Sequence, residues 1–231
     1  MKIILLSGKA SSGKDTFFEL FQKSFSGAVQ FPFAGELKDI ACRLWSLDED
    51  YMKTYEGKSV FRPKLIQLGS LVRNIDPYSW VNCVVNKIKN SECEYAVVTD
   101  LRFFNELYKM LEEFTNSIFL VRIISSTKNR MKRMGQKRAR EYSSGVHLDP
   151  SETQMDALDQ SLASMDPFTK KVVQPIQGFT KYIYNDQSIE DFEKAIASFE
   201  FQEYTDKTIK TVMRSAYKVA RQLGPEAKLL V

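Results

Sequence analysis

The segment that most restricts this chain is Ile3-Ile4-Leu5-Leu6 followed by Gly8-Lys9-Ala10-Ser11-Ser12-Gly13-Lys14-Asp15-Thr16. An apolar run entering a glycine-bearing loop, with Phe17, Leu20 and Phe21 at helical spacing beyond it, predicts strand, phosphate-holding loop and helix. Gly8 and Gly13 permit backbone angles and a close approach that a β-carbon blocks, so successive N–H groups can curl around phosphate oxygens at the start of a helix. Lys14 adds a mobile positive charge. The loop consensus puts Ser or Thr directly after the lysine. Here Asp15 takes that place and Thr16 follows it.

The strand candidates are 2–7, 28–31, 94–99, 117–123 and 180–184. Helical spacing falls at 14–25, 35–46, 62–74, 77–90, 103–114, 127–140 and 188–199. This alternation predicts an α/β protein: a five-stranded, mostly parallel sheet between two layers of helices. Tyr95-Ala-Val-Val98 and Ile118-Phe-Leu-Val-Arg-Ile-Ile124 are the near-continuous apolar runs of strands covered on both faces. Ligands in such sheets sit at the carboxyl ends of the strands, where Gly8 and Asp100 both fall.

Residues 141–178 carry Ser143-Ser144-Gly145, Asp149-Pro150, Asp166-Pro167 and Gln177-Gly178, which predict loops and a short helix rather than core elements. Beyond 200, Ile209, Val212, Met213, Ala216, Val219, Ala220 and Leu223 mark a separate helix ended by Gly224-Pro225. The expected division is a main domain over 1–199, with a lid at about 127–165, and a helical extension over 200–231. The other face of that last helix carries Lys207, Lys210, Arg214, Lys218 and Arg221, a basic stripe that reads first as solvated surface and second as a nucleic-acid or partner-binding face.

Composition narrows the partners. With 33 basic against 29 acidic residues the net charge is only +4, so the whole-molecule field gives no strong argument for nucleic acid. Cys42, Cys83 and Cys93 form no Cys-x-x-Cys pair and there is one histidine, so neither a disulfide framework nor a zinc site is indicated. The amino terminus runs straight into the first strand and no apolar stretch reaches membrane-spanning length. The expectation is a soluble, cytoplasmic protein with no membrane partner and with nucleic acid disfavoured as a partner.

Asp100 ends the third strand candidate and would point into the crevice of the phosphate loop, where Mg²⁺ on phosphate oxygens needs oxygen ligands or anchored waters. Its alternative is a helix cap for the segment starting near Arg102. The residue after it is Leu101, where hydrolytic motors usually place a water-positioning Glu, and no Asn-Lys-x-Asp base-reading string is present, so transfer to a bound acceptor is favoured over hydrolysis. Lys38, Arg73 and Arg102 stand on three segments that the sheet would converge, and arginine's planar fork suits an acceptor phosphate. The run from Lys128 to Arg140 is the densest in cations. Arg130 and Arg133, three apart, would share a helix face and could close over phosphates. His147 receives no catalytic role, because phosphorylating an anionic oxygen requires little proton transfer.

Several strings in order resemble deoxynucleoside monophosphate kinases of the viral or bacteriophage type, over about residues 1 to 199. They are Gly8–Thr16, Phe33-Ala-Gly-Glu-Leu-Lys38-Asp39, Leu68-Gly69 with Arg73, Asp76 through Trp80, Val97-Val-Thr-Asp100-Leu-Arg102-Phe-Phe-Asn105-Glu106, His147 with Ser151-Glu152, and Tyr184-Asn185-Asp186-Gln-Ser188. Nucleoside monophosphate kinases commonly carry the loop hydroxyl one residue late, as here. The resemblance implies a three-layer P-loop kinase fold with a helical lid, ATP and Mg²⁺ as cofactors, and a deoxynucleoside monophosphate as acceptor, in the host cytoplasm if viral, with a homodimer left open.

By the same resemblance Lys14, Arg130 and Arg133 would be catalytic. Gly8, Lys9, Ala10, Ser11, Ser12, Gly13, Lys14, Asp15 and Thr16 would cradle ATP, with Asn185 and Asp186 beside adenine. Lys38, Arg73, Trp80, Asp100, Arg102 and Glu106 would hold the acceptor, and Asp15, Thr16 and Asp100 the metal. The helix past 200 is an addition to the family pattern. Kinases of other phosphorylated metabolites, phosphomevalonate or dephospho-coenzyme A, share the Gly-Lys-Asp string. A nucleotide-dependent nucleic-acid-binding protein and an ATP-hydrolysing machine are the readings from other classes.

Overall fold

A computed structural model describes residues 1–143 and 154–223. His147, Asp149-Pro150, Ser151, Glu152, Gly224 and Pro225 lie outside the described residues. Five strands, β1 (Lys2–Ser7), β2 (Ala28–Gln30), β3 (Tyr95–Val98), β4 (Ile118–Ile124) and β5 (Thr180–Tyr184), form one sheet in the order β2-β3-β1-β4-β5. Every pairing is parallel, so the sheet is parallel throughout. β1, which leads into the phosphate loop, sits at its centre, with Leu5 opposite Val98 and Ser7 opposite Arg122.

Alternation along the strands divides the interior into two cores. Ile4, Leu6, Val97, Val121, Ile123 and Ile183 face α1 (Lys14–Ser24), which contributes Phe17, Leu20 and Phe21. Ile3, Leu5, Ala96, Val98, Ile118 and Leu120 face the opposite layer. That layer holds α5 (Ser79–Lys89), following α2 (Phe33–Trp45), α3 (Glu49–Lys53) and α4 (Tyr55–Ile75) in the chain, and then α6 (Phe104–Phe114). α4 starts earlier than its apolar spacing indicates. Thr54 Oγ1 accepts from the Gly57 N–H at 3.0 Å and caps it, and Gly57 lies so close to the Tyr51 carbonyl that a β-carbon would be 2.0 Å from it.

α7 (Thr127–Ser143) departs from the continuous helix expected there. Gly135 adopts φ 73°, ψ 162° and interrupts it, so Arg130 and Arg133 stand on a stretch separate from residues 138 and 140.

Two expectations for the remaining chain are corrected. Residues 167–179, expected as loop or short helix, form the 13-residue helix α8 (Pro167–Phe179), which buries Val172, Val173, Ile176 and Phe179 in the same core as α6. Asp166-Pro167 is a helix start: Asp166 accepts the N–H groups of Phe168 and Thr169, and Pro sits at the first helical position, where its missing donor costs nothing. After α9 (Ile189–Ala197) on the other side of the sheet, α10 (Asp206–Leu223) returns, and Ile209, Val212, Ala216, Val219 and Ala220 join the core of α6 and α8. That helix is integral to the main core rather than separate from it. Among the described residues no helix is long and apolar enough to cross a membrane.

Candidate active site

The loop after β1 is built as its sequence requires. Gly8 has φ 156° and Gly13 φ 106°, and β-carbons there would fall 2.6 Å from Ser12 Oγ and 2.2 Å from Asn185 Nδ2. Lys14 Nζ donates to the carbonyls of Gly8 at 2.6 Å and Lys9 at 3.1 Å, which holds the ammonium over the loop it serves. Ser12 Oγ is fully buried and has no hydrogen-bond partner among the described residues. An orphaned buried hydroxyl inside a ring of backbone donors suits an anion, since desolvating it without compensation is costly. Asp15 is exposed at the start of α1 and Thr16 is half-buried.

The start of α7 leans on this loop. Buried Arg130 donates from Nη1 to the Ala10 carbonyl at 3.3 Å. Arg133 reaches the Ser11 carbonyl at 3.5 Å, Ser125 Oγ at 3.0 Å and the Asn185 carbonyl at 2.7 Å. Asn185 Nδ2 in turn donates to the Ser12 carbonyl at 2.9 Å. Asp186 closes the set: the Ser126 N–H, 2.7 Å away, holds its carboxyl below the usual carboxylate range, with Asn129 and Ser125 assisting. The structure therefore brings Arg130, Arg133, Asn185 and Asp186 together against Gly8–Thr16.

The other flank lies beyond β3, whose end is tied to β1 by the Leu101 N–H donating to the Leu6 carbonyl at 3.0 Å. Asp100 is a helix cap, but for α2 rather than for the helix after Arg102. Its two oxygens accept from Phe33 N at 2.8 Å and Ala34 N at 2.9 Å. Glu106 caps α6 by accepting from Arg102 N at 2.9 Å and Phe103 N at 3.0 Å. Arg73 stacks over the Phe103 ring at 4.8 Å, and its charge and that of Asp100 both act on Glu106. Trp80 is buried and donates its indole N–H to the Gly69 carbonyl at 3.1 Å, which braces α5 against α4. Lys38 is exposed on α2. So Asp100, Arg73, Arg102 and Glu106 form one group, while Trp80 supports it from behind.

Burial pushes the Glu106 carboxyl up from 4.5 to about 7; the Asp100 charge adds to the rise, and the two N–H groups and Arg73 oppose it. The folded protein therefore binds a proton that the unfolded chain has released, and stability falls as pH rises from about 4.5 to about 7 and is level above that. We expect Glu106→Gln, which keeps the oxygen acceptor, to be more stable than the parent at pH 8 by up to about 3 kcal/mol and to flatten that slope. Urea unfolding of both proteins at pH 5 and pH 8 checks this, and parallel pH dependence would contradict it.

Sequence reasoning missed the strongest charge network in the site. Arg122, 2% exposed in the middle of an apolar strand, donates to Ser7 Oγ at 2.8 Å, Asp156 Oδ1 at 3.0 Å, and Asp159 Oδ1 and Oδ2 at 2.8 and 2.5 Å. Lys9 of the loop pairs with the same Asp156 at 3.1 Å. Burial works against the guanidinium charge, yet Asp159 and Asp156 outweigh it and raise its pKa. The signal was present: a lone arginine in a strand covered on both faces must have buried partners. A cavity of about 340 Å³ opens beside this network between Lys9, Ser125, Arg130, Asp159, Tyr182 and Tyr184. Among the described residues no group of three or more His, Cys, Asp or Glu side chains could hold a metal ion.

A phosphate loop after the central first strand of a five-stranded parallel sheet, with cationic groups on either side, defines a P-loop nucleotide-binding protein. The family model for phosphomevalonate kinase matches residues 6–116, just under half of the chain, from the loop through α6. A gluconokinase from Sinorhizobium meliloti 1021 superposes with TM-score 0.43 at 12% identity, over 96% of this chain and 95% of that one. A shikimate kinase from Acinetobacter baumannii, in complex with shikimate, gives TM-score 0.43 at 14% identity over 85% and 90%. A comparison with curated proteins found no match. The family match, on this loop and sheet, supports a P-loop kinase.

Proposed function

We propose that this protein transfers the γ-phosphoryl group of ATP to a deoxynucleoside monophosphate, giving the diphosphate and ADP. The observation that carries the reading is one phosphate loop with cations from separate elements on its two flanks: Arg130 and Arg133 on one, Arg73 and the Arg102 turn on the other. Two anions must meet in a phosphoryl transfer, and catalysis consists mainly of positioning them and offsetting charge. In this reading Gly8–Thr16 hold the ATP phosphates, Lys14 stabilises the moving group, Arg130 and Arg133 cover it from the lid, and Asn185-Asp186 border the base.

The acceptor phosphate is held by Arg73, Arg102 and Lys38. Glu106 and Trp80 act at one remove, Glu106 through the Arg102 backbone and Trp80 through Gly69. Mg²⁺, carried on the phosphates, would reduce their charge, with Asp15, Thr16 and Asp100 nearby; because Asp100 already accepts two N–H groups, its contact is expected through water.

The choice of acceptor rests on the ordered resemblance along residues 1 to 199. The match over 6–116 favours a second reading, a phosphomevalonate-type acceptor on the same machinery. A coupled ADP assay with the four deoxynucleoside monophosphates, their ribose counterparts and phosphomevalonate separates the two. We expect ADP release only with acceptor present, and at least about tenfold higher kcat/KM for a deoxynucleotide than for phosphomevalonate. The reverse preference selects the second reading, and acceptor-independent hydrolysis at the same rate sinks both.

A further inference from the structure

The basic face of α10 acquires a meaning from the fold that it lacks as a pattern. At 100° per residue, Lys207, Lys210, Arg214, Lys218 and Arg221 fall within an arc of about 80°, and all five are exposed. The opposite face, with Ile209, Val212, Ala216, Val219 and Ala220, is buried in the main core, so the helix cannot turn and the five charges form a fixed row. Asp206, at its first residue, is the only acid on the helix. Among the described residues none of the five makes an ion pair.

The neighbouring helix does not neutralise the row either. On α6, Glu113 pairs with Lys89 at 2.6 Å and Lys109 at 2.7 Å. Glu112 is held by Lys109 at 2.7 Å and by the Tyr108 hydroxyl at 2.9 Å. α8, packed on the same side, adds exposed Lys170 and Lys171.

From this we infer that α10 is a docking rail for the phosphodiester backbone of a nucleic acid. The row is about 21 Å long, a length over which one strand of duplex carries about six phosphates, so five cations meet a regular line of about as many anions. A lipid surface suits it less, because an amphipathic helix binds membranes through an apolar face, and this one is committed to the core. No residue of the phosphate loop belongs to the rail, so the inference is independent of the acceptor.

Fluorescence anisotropy with a labelled duplex of about 24 base pairs tests it. We expect binding that weakens roughly 10²-fold between about 50 and 200 mM salt, with a log–log slope of about −3 to −4.5. Lys210→Glu with Arg214→Glu should weaken it at least about tenfold and make the slope shallower by about 2, with kinase turnover unchanged. The control Lys23→Glu with Lys194→Glu, on α1 and α9, makes the same change in net charge on the other layer and should leave most of the affinity. The rail is overturned if the control falls as far as the α10 variant, if binding is absent or salt-insensitive, or if phosphatidylserine vesicles or polyglutamate are held as tightly as the duplex.

Discussion

Replacing Lys14 by Ala is expected to lower kcat by about 10³-fold or more while the protein still folds. The size follows from the part the ammonium would play: in a dry loop lined with fixed donors, a charge aimed at the moving phosphoryl group acts on the transition state far more than on the bound reactants. The fold survives because the loop depends on Gly8, Gly13 and the hydrogen bond from Asn185 to the Ser12 carbonyl. The Lys14 bonds to the carbonyls of Gly8 and Lys9 are part-buried, and their loss should cost about 1.5–3 kcal/mol, within the stability of a folded domain. Turnover in the coupled assay and a thermal melt of the same preparation check both halves. A variant within tenfold of the parent would remove the phosphate loop from the chemistry.

Arg122→Met should give the largest loss of stability of any change discussed here, about 3–5 kcal/mol. The side chain is the one cation that reaches both Asp156 and Asp159 among the described residues, and its removal takes from Asp159 the guanidinium it is paired with and leaves Asp156 to Lys9, both beside a largely buried wall. At about 2–4 °C per kcal/mol for a chain of this size, the melting point should fall by roughly 10 °C. Asp156→Asn and Asp159→Asn added to Arg122→Met should recover part of the loss, because the neutral amides no longer repel each other or demand a partner. If the triple variant is less stable than Arg122→Met alone, packing rather than charge is what Arg122 supplies.

Much of the scaffold was legible because it rests on short-range rules. Ile3–Leu6 into Gly8–Thr16 could hardly be read otherwise, and Val97-Val98 into Asp100 marked the neighbouring strand end. The misreadings share a cause. Asp166-Pro167 serves equally as a loop break and a helix start, and only the burial of Val172, Val173 and Ile176 decides between them. Gly135 inside an otherwise helical basic run gave no sign of whether the helix would tolerate it. Arg122 and its two aspartates lie more than thirty residues apart, beyond any periodicity.

From the residues alone came the alternating strands and helices, the loop fit for phosphate and the list of cations able to face it. These follow from local backbone preference and from the spacing of apolar side chains, which act within a few residues. The fold alone decided which charges meet: Arg130 and Arg133 on the loop, Asp100 capping α2, Arg122 clamped between Asp156 and Asp159, and the α10 lysines and arginines held outward by the burial of their opposite face. Such pairings arise when distant segments lose water together, because a buried charge or helix end must then find its partner across the chain.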